Sequence, residues 1–202
     1  MKKHILISKN IPQGRITEIF GDVDTGKSTA VLKIIGALAN KTCLYIDTDR
    51  SLTQQQLAEF DIQDMVTVLQ PDTIEQTVDI VNRFLEQDVF DIIVFDSTAN
   101  LISERYKNLP VNQISWKHRI ADITKMIQQL IPVIENRNMI IIFVSQIRKD
   151  LKGNSYTTGG KALRFYSTVR LEISRDDITV VKNKTDKVLL RLNNYVKQEV
   201  SV

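Results

Sequence analysis

Apolar runs of strand length alternate with longer amphipathic stretches along most of the chain. The strand-length runs are residues 15–20, 42–47, 65–69, 91–96 and 139–145. Four of them are apolar at nearly every position, which is typical of strands that are covered on both faces. Between the runs, apolar residues recur with helical spacing over 27–39, 52–60, 73–87 and 115–136. Strands that alternate with helices in this way predict an α/β fold with a mainly parallel sheet flanked by helices.

The C-terminal part of the chain has a different pattern. Residues 169–174, 178–182 and 187–192 alternate between apolar and polar positions. This alternation predicts three short strands with one exposed face, paired antiparallel at a C-terminal edge of the sheet. Because 202 residues fit one domain, we expect a single domain over residues 1–202.

Composition and charge exclude several classes of protein. With 43% hydrophobic and 25% charged residues, the chain is typical of soluble globular proteins and is neither disordered nor collagen-like. No apolar run reaches about 18 residues, so no membrane span is expected. The single cysteine, Cys43, cannot form an internal disulfide, which agrees with a reducing cytoplasm. The net charge of +3 permits a polyanionic partner without requiring one.

Residues 21–28, GDVDTGKS, fit the phosphate-loop pattern G-x-x-x-x-G-K-[ST] and lie between a predicted strand and a predicted helix. Successive backbone N–H groups in such a loop bind phosphate at a helix N-terminus. Lys27 would reach the β- and γ-phosphates, and the Ser28 hydroxyl would bind Mg²⁺. The predicted nucleotide-binding residues are Gly21, Asp22, Val23, Asp24, Thr25, Gly26, Lys27, Ser28 and Thr29.

Acidic residues at two predicted strand ends would complete a nucleotide site. Asp96 is the candidate for the second metal-side acid, together with Ser28. Asp47 and Asp49 end the preceding strand, and one of them would orient the attacking water. The competing interpretation is that Asp49 or Ser51 caps the next helix. The residues alone leave the choice between Asp47 and Asp49 open.

Six segments, in order along the chain, resemble the RecA family of recombination ATPases. They are residues 14–21 (GRITEIFG), 70–76 (QPDTIEQ), 91–97 (DIIVFDS), 141–148 (IIFVSQIR), 157–166 (TTGGKALRFY) and 180–184 (VVKNK). The resemblance runs from about Ile11 to about Leu192. It implies a RecA-like P-loop NTPase core that binds ATP with Mg²⁺.

The resemblance implies a catalytic set and an ATP sensor. Besides Lys27 of the phosphate loop, Asp49 takes the place of the family's glutamate, which activates the hydrolytic water. Asp96 takes the Walker B place. Gln146 resembles the glutamine that senses the γ-phosphate and signals to a DNA-binding loop.

The resemblance also implies self-association into a ring or filament. Lys182 and Lys184 resemble paired lysines that reach the ATP of a neighbouring subunit, where they would stabilise transition-state charge. Phe165 resembles a phenylalanine at the family's subunit interface. Residues 1–10 are a candidate oligomerisation arm, because 4–7 could add as a strand to a neighbour's sheet edge. Packing of this segment on its own domain is an alternative of at least equal weight.

Two segments, 104–119 and 147–161, are the candidate loops for single-stranded DNA. Their cations suit phosphate contacts, and their aromatic residues suit base stacking. The candidate DNA-binding residues are Trp116, Lys117, Arg119, Arg148, Lys149, Lys152 and Lys161. The glycines of the second segment suggest a backbone that is flexible enough to follow a single strand of DNA. For Trp116, burial on its helix is an equal alternative.

Three departures from the family pattern modify these expectations. Asp49 is one methylene shorter than glutamate, so hydrolysis is expected to be slow. Gln56 falls at the place of the adenine-stacking tyrosine, so base stacking is expected to be weaker. No N-terminal polymerisation helix and no separate N- or C-terminal DNA-binding domain are expected.

The expected function is DNA-stimulated ATP hydrolysis that promotes pairing or annealing of single strands in homologous recombination. A core of this size looks like the reduced RecA-like proteins of phages and mobile elements, several of which anneal strands with a single-strand-binding protein. That likeness implies a cytoplasmic location in association with the nucleoid. For a phage-encoded protein, it implies the cytoplasm of the host. The alternative is a non-catalytic, ATP-switched mediator that loads or regulates another recombinase. The recombinase-like segment 157–166 argues against a replicative helicase. A small-molecule kinase is disfavoured because the glycine-rich segment after Gln146 is not an obvious lid.

Overall fold

The computed structural model describes residues 7–8, 11–110, 116–135, 137–150, 152–175 and 177–185. The strand predicted at 187–192, most of the candidate arm at 1–10 and the side chains of Trp116 and Lys117 lie outside the described residues. None of the helices in the described ranges is long and apolar enough to span a membrane.

Strands and helices alternate through most of the described chain. The strands are β1 (Arg15–Gly21), β2 (Cys43–Asp47), β3 (Val66–Leu69), β4 (Ile92–Asp96), β5 (Ile140–Lys149), β6 (Ser155–Thr157), β7 (Ser167–Ile173) and β8 (Ile178–Asn183). The helices are α1 (Lys27–Ala37), α2 (Gln54–Glu59), α3 (Ile74–Gln87), α4 (Trp116–Glu135) and α5 (Gly160–Tyr166), with a 3₁₀ turn at Glu104–Tyr106. The five strand-length runs of the sequence correspond to β1 to β5.

The sheet has the strand order β3-β2-β4-β5-β1-β7-β8. All of these neighbours are parallel except β7 and β8, which pair antiparallel at the edge. The predicted mainly parallel sheet with a C-terminal antiparallel edge is therefore confirmed. In the register of the sheet, Gly21 of β1 pairs with Gln146 of β5, and Asp47 of β2 pairs with Asp96 of β4. These four residues therefore lie at the same edge of the sheet, where β1, β2 and β4 end.

Two hydrophobic clusters cover the two faces of this sheet. On one face, Val31 and Ile35 of α1 lie in the same cluster as Tyr45 and Val94 of the sheet. The other face packs against α3 and α4, and the rings of Phe95 and Phe143 stack there with centroids 4.3 Å apart. Because both faces are covered, every residue of β2 and β4 is buried, which explains their near-continuous apolar sequence.

The segment expected as a glycine-rich loop after β5 instead forms a hairpin. β5 continues to Lys149 and pairs antiparallel with β6. The turn between them is held by Asp150, whose Oδ1 accepts hydrogen bonds from the N–H groups of Lys152 and Asn154, both at 2.8 Å. The segment expected as a loop is therefore ordered by strand pairing and by the side-chain hydrogen bonds of an Asx-type turn.

Helix α5 was not predicted, because Gly159 and Gly160 indicate a loop when they are considered alone. At Gly160 φ is +66°, and a Cβ there would lie 2.7 Å from Cγ2 of Ile120 in α4. The glycine therefore permits close packing of α5 on α4 rather than an open loop. As a consequence Lys161 and Phe165 lie on a helix.

Candidate nucleotide site and the adjoining hairpin

The phosphate loop, residues 21–28, leaves the carboxyl end of β1 and opens α1. A Cβ on Gly21 would lie 2.2 Å from the carbonyl oxygen of Ile173, so only glycine fits where β1 passes β7. The Thr25 hydroxyl donates to the Asp22 carbonyl at 2.9 Å. The buried Lys27 ammonium donates to the same carbonyl at 2.5 Å. Lys27 thus lies folded against the loop in which the phosphates would bind.

Burial lowers the pKa of Lys27, while the nearby carboxylates of Asp96 and Asp24 act in the opposite direction. A partly desolvated ammonium beside a phosphate loop gains from an anionic ligand, because that ligand replaces the lost hydration. The electrostatics of Lys27 therefore suit the phosphate-binding role that the motif predicts.

Asp96 is a buried carboxylate at the end of β4 that accepts hydrogen bonds from two hydroxyls. Burial raises the pKa of Asp96, whereas hydrogen bonds from Ser28 and Tyr45 oppose that rise. The Tyr45 hydroxyl donates to Asp96 Oδ2 at 2.5 Å. Sequence analysis missed Tyr45, because its partner lies on another strand.

The residues present fit a nucleotide-borne Mg²⁺. Ser28 and Asp96 bring a hydroxyl and a carboxylate together, and Mg²⁺ prefers such oxygen ligands. Within the described residues, no cluster of three or more His, Cys, Asp and Glu side chains could hold a metal ion alone. Ser28 and Asp96 would therefore hold the ion jointly with phosphate and water oxygens, as is usual for Mg²⁺.

The Asp47 side chain binds backbone groups of the loop that follows β2. Its buried carboxylate accepts hydrogen bonds from the N–H groups of Ser51 at 3.2 Å and Leu52 at 3.1 Å, and from Gln70 Nε2 at 3.0 Å. These three bonds satisfy the carboxylate and order the loop. Asp47 is therefore a structural residue.

Asp49 is half-buried and has a carboxylate oxygen left for a ligand. Its Oδ1 accepts hydrogen bonds from Ser97 Oγ and Asn100 Nδ2, both at 2.9 Å. Oδ2 has no hydrogen-bond partner among the residues that the structure describes. Of the two candidates for the water-orienting residue, this geometry favours Asp49. Ser97 and Asn100, which hold it, were not found from the sequence.

The helix after Asp49 is capped by neither of the residues considered from the sequence. Its N-cap is Thr53, so the capping interpretation for Asp49 and Ser51 is wrong. Gln56 Oε1 accepts from the N–H of Thr53 at 2.9 Å, and the N–H of Gln56 donates back to Thr53 Oγ1 at 3.2 Å. This capping box engages the Gln56 side chain at the start of α2.

Gln146 lies between the phosphate loop and the hairpin. It is the register partner of Gly21, the first residue of the phosphate loop. Its Oε1 accepts a hydrogen bond from Arg148 Nη2 at 2.6 Å, and its N–H donates to Thr158 Oγ1 at 3.0 Å. Gln146 therefore lies beside the phosphate loop through its backbone, and its side chain holds a basic residue of the hairpin.

Three hydroxyls connect the end of β4 with the base of the hairpin. Thr98 Oγ1 lies 3.1 Å from Ser145 Oγ and 2.7 Å from Thr158 Oγ1. Their positions in the sequence gave no signal, since single serines and threonines are common at strand ends. This cluster fixes the hairpin relative to the strand that ends in Asp96.

The candidate DNA-binding residues fall into two groups. Arg148, Lys149, Lys152 and Lys161 are exposed on the hairpin and on α5. Arg119 is half-buried on α4 and lines a cavity together with Arg148 and Tyr156. Burial, and then the charge of Arg148, lower the pKa of Arg119. The candidate roles of Trp116 and Lys117 rest on side chains outside the described residues.

The described part of segment 104–119 keeps exposed basic side chains but buries its tyrosine. Arg105 forms an ion pair with Asp122 while 57% of its side chain stays exposed, and the Lys107 side chain is 42% exposed. Tyr106 is buried, so its ring does not offer a stacking surface. Arg119 lines a cavity together with Arg148 of the hairpin.

The candidate interface residues form one patch on the antiparallel edge. Phe165 is 69% exposed, and Lys184 Nζ lies 5.8 Å from its ring centroid. Lys182 Nζ donates to the carbonyls of Arg164 at 2.7 Å and Phe165 at 3.1 Å, at the end of α5. Because β8 is antiparallel to β7, Lys182 lies level with Glu18 in the middle of β1 and Lys184 lies toward the amino end of β1, two strands across the sheet from it and away from this chain's own phosphate loop.

Comparison with known proteins gives concordant matches. A family model of the RecA N-terminal domain matches residues 4–201. The chain is 33% identical over 197 residues to a mitochondrial DNA repair protein recA homolog of Dictyostelium discoideum, covering 86% of this chain and 43% of the relative. It is 31% identical over 172 residues to Protein RecA of Pseudomonas fluorescens strain Pf-5, covering 82% and 49%. With Protein RecA of Pseudomonas tolaasii the identity is 32% over 173 residues, covering 82% and 49%. The chain spans about half the length of the curated relatives it matches.

Proposed function

This chain belongs to the RecA family, and from that premise we propose that it is an ATP-dependent single-stranded DNA-binding protein of homologous recombination. In this proposal ATP, bound with Mg²⁺, switches the protein to tight DNA binding, and DNA-stimulated hydrolysis releases it. Bound strands are thereby brought together for pairing or annealing.

The observation that carries the proposal is the course of β5. Gln146 on this strand is the register partner of Gly21 in the phosphate loop. Three residues further on, at Lys149, the same strand is part of the basic hairpin. A nucleotide site and a cationic surface are thus joined by one continuous hydrogen-bonded element, which suits a nucleotide-controlled DNA-binding protein.

In the hydrolysis step, Lys27 binds the β- and γ-phosphates, and Ser28 and Asp96 hold the metal-bearing side of the nucleotide. Mg²⁺, when bound, neutralises charge on the phosphates. Asp49 orients the attacking water through Oδ2, while Ser97 and Asn100 fix its other oxygen. Because aspartate reaches less far than glutamate, hydrolysis is slow.

In the coupling step, Gln146 exchanges its partner. In the structure, Gln146 Oε1 accepts a hydrogen bond from the Arg148 guanidinium at 2.6 Å. When Gln146 turns toward a γ-phosphate, that hydrogen bond breaks and Arg148 becomes available to a DNA phosphate. Arg119, whose guanidinium donates to the Ala99 carbonyl, contributes to DNA binding in both nucleotide states.

Self-association completes the nucleotide site in this proposal. Lys182 and Lys184 lie away from the phosphate loop of their own chain, and the exposed Phe165 adjoins them. A second copy would place these lysines against the first copy's nucleotide. Removing Phe165 from water in the interface would stabilise the association.

The test is ATP hydrolysis with and without single-stranded DNA, with Lys27→Ala as the control for contaminating ATPase. The proposal predicts hydrolysis that DNA stimulates and that the Lys27→Ala variant lacks. The shortened Asp49 favours a second candidate, a non-catalytic mediator that uses ATP as a switch. ATP binding without hydrolysis, with or without DNA, would contradict the first function and support the second.

A further inference from the structure

Tyr45 is a fully buried tyrosine whose hydroxyl has a specific partner. It lies in the middle of β2 with 1% of its surface exposed, and it belongs to an apolar cluster. Phenylalanine would fill almost the same volume without bringing a polar atom into the core. The hydroxyl is satisfied by Asp96 Oδ2 at 2.5 Å, which is the length of a strong, charge-assisted hydrogen bond.

The partner of Tyr45 is the carboxylate that would face the metal. Asp96 accepts a second hydrogen bond, from Ser28 of the phosphate loop. The two donors approach from different parts of the fold: Tyr45 belongs to the core of the sheet, and Ser28 belongs to α1. Because Tyr45 is rigidly packed, its hydroxyl restricts rotation of the Asp96 carboxylate, whereas Ser28 would be drawn into the ligand set.

We propose that Tyr45 is a positioning residue for the Mg²⁺ that accompanies the nucleotide, acting through its hydrogen bond to Asp96. The inference rests on the nucleotide site of the proposed function and is independent of DNA binding. Outer-shell hydrogen bonds of this kind orient the carboxylate before the ion arrives, and losing one typically lowers metal affinity about 10–100-fold. Tyr45→Phe removes only the hydroxyl and keeps the packing.

The experiment measures the affinity of a fluorescent, slowly hydrolysed ATP analogue in Mg²⁺ and in EDTA. The ratio of the two dissociation constants is the Mg²⁺-dependent gain. We expect Tyr45→Phe to reduce this gain by about tenfold and to leave the affinity in EDTA unchanged. Tyr106→Phe is the matched control, because it removes the same atom from another buried tyrosine that does not contact Asp96.

A double-mutant cycle with Asp96→Asn separates positioning from general structure. If Tyr45 acts through Asp96, Tyr45→Phe adds no further loss of the gain in the Asp96→Asn background. An unchanged gain in Tyr45→Phe would overturn the inference, and so would an equal loss in both backgrounds or equal weakening in Mg²⁺ and EDTA. Failure of the wild-type chain to bind ATP would instead overturn the proposed function, and this inference with it.

Discussion

The buried ion pair between Glu18 and Arg170 gives a prediction about stability. The two residues are register partners on β1 and β7. Arg170 Nε donates to Glu18 Oε2 at 2.5 Å, and their side chains are 7% and 0% exposed. Glu18 Oε1 has no hydrogen-bond partner in the part of the chain that the structure describes. The Arg170 guanidinium is therefore the group that compensates the buried carboxylate charge.

The Arg170→Met variant removes this charge but keeps most of the aliphatic stem. It leaves Glu18 buried without its hydrogen-bonded counter-charge, while the Lys182 ammonium still acts on the carboxylate from the strand beyond β7. Breaking such a buried pair typically costs about 3–5 kcal/mol. The guanidinium carbon also lies 4.3 Å from the ring centroid of Phe20, so a cation–π contact is lost as well. For a chain of about 200 residues, the ion-pair loss alone should lower the melting temperature by about 6–20 °C.

Urea unfolding of a double-mutant cycle measures the pair directly. In the Glu18→Gln background Arg170 is itself a buried charge without its partner, and Arg170→Met removes that charge instead of stranding a carboxylate. Adding Arg170→Met there should therefore cost at least about 2 kcal/mol less than it does in the wild type. An equal cost in both backgrounds would refute the reasoning. A cost below about 1 kcal/mol for Arg170→Met alone would also refute it, because that value is typical of an exposed pair.

Three predictions concern the site. Asp49→Asn keeps the oxygen that Ser97 and Asn100 bind but replaces the other carboxylate oxygen, which would orient the water, with an amide. It should therefore lower kcat for ATP hydrolysis by about 10²–10⁴-fold, and unchanged turnover would exclude Asp49 as the water-orienting residue. The Lys27→Ala and Lys182→Ala variants should each lack ATPase activity alone and regain part of it when they are mixed. In a mixed interface the Lys182→Ala copy supplies an intact phosphate loop and the Lys27→Ala copy supplies an intact Lys182; no recovery would count against action in trans. Arg119→Ala should weaken single-stranded DNA binding equally with and without nucleotide, whereas Arg148→Ala should weaken it mainly with nucleotide, as anisotropy titrations would show.

The sheet was predictable because burial on both faces leaves a local signature. β2 and β4 are buried at every position, so a continuous apolar run identifies each of them without any tertiary information. The phosphate loop was recognisable for a similar reason, since its pattern lies between a strand and a helix in the sequence itself.

Helix α5 and the hairpin depend on contacts that the local sequence does not contain. α5 has seven residues, too few to be stable alone. It is held by Leu163, which is fully buried, and by Ser167, whose hydroxyl donates to the Leu163 carbonyl at 2.6 Å. The local sequence with its two glycines therefore indicates a loop, because the packing of Gly160 on α4 is a tertiary contact.

The detailed geometry of the candidate site depends on strand register. Tyr45 and Asp96 are 51 residues apart, and only the pairing of β2 with β4 brings them together. The choice between Asp47 and Asp49 depends in the same way on loop hydrogen bonds, since both residues lie at the carboxyl end of the same strand. Residue types thus predicted the kind of chemistry, and the hydrogen bonds of the fold indicate which carboxylate has an oxygen left for a ligand.

The most direct test of the account measures the affinity for labelled oligo(dT) at several salt concentrations, with and without a slowly hydrolysed ATP analogue. The wild-type chain should bind DNA more tightly with nucleotide, and one additional phosphate contact by Arg148 should steepen the slope of log K against log salt by about 0.7. Gln146→Ala should bind the nucleotide normally and show no such difference. Equal affinity and equal slope in both nucleotide states of the wild-type chain would contradict the proposal that β5 couples the nucleotide site to the hairpin.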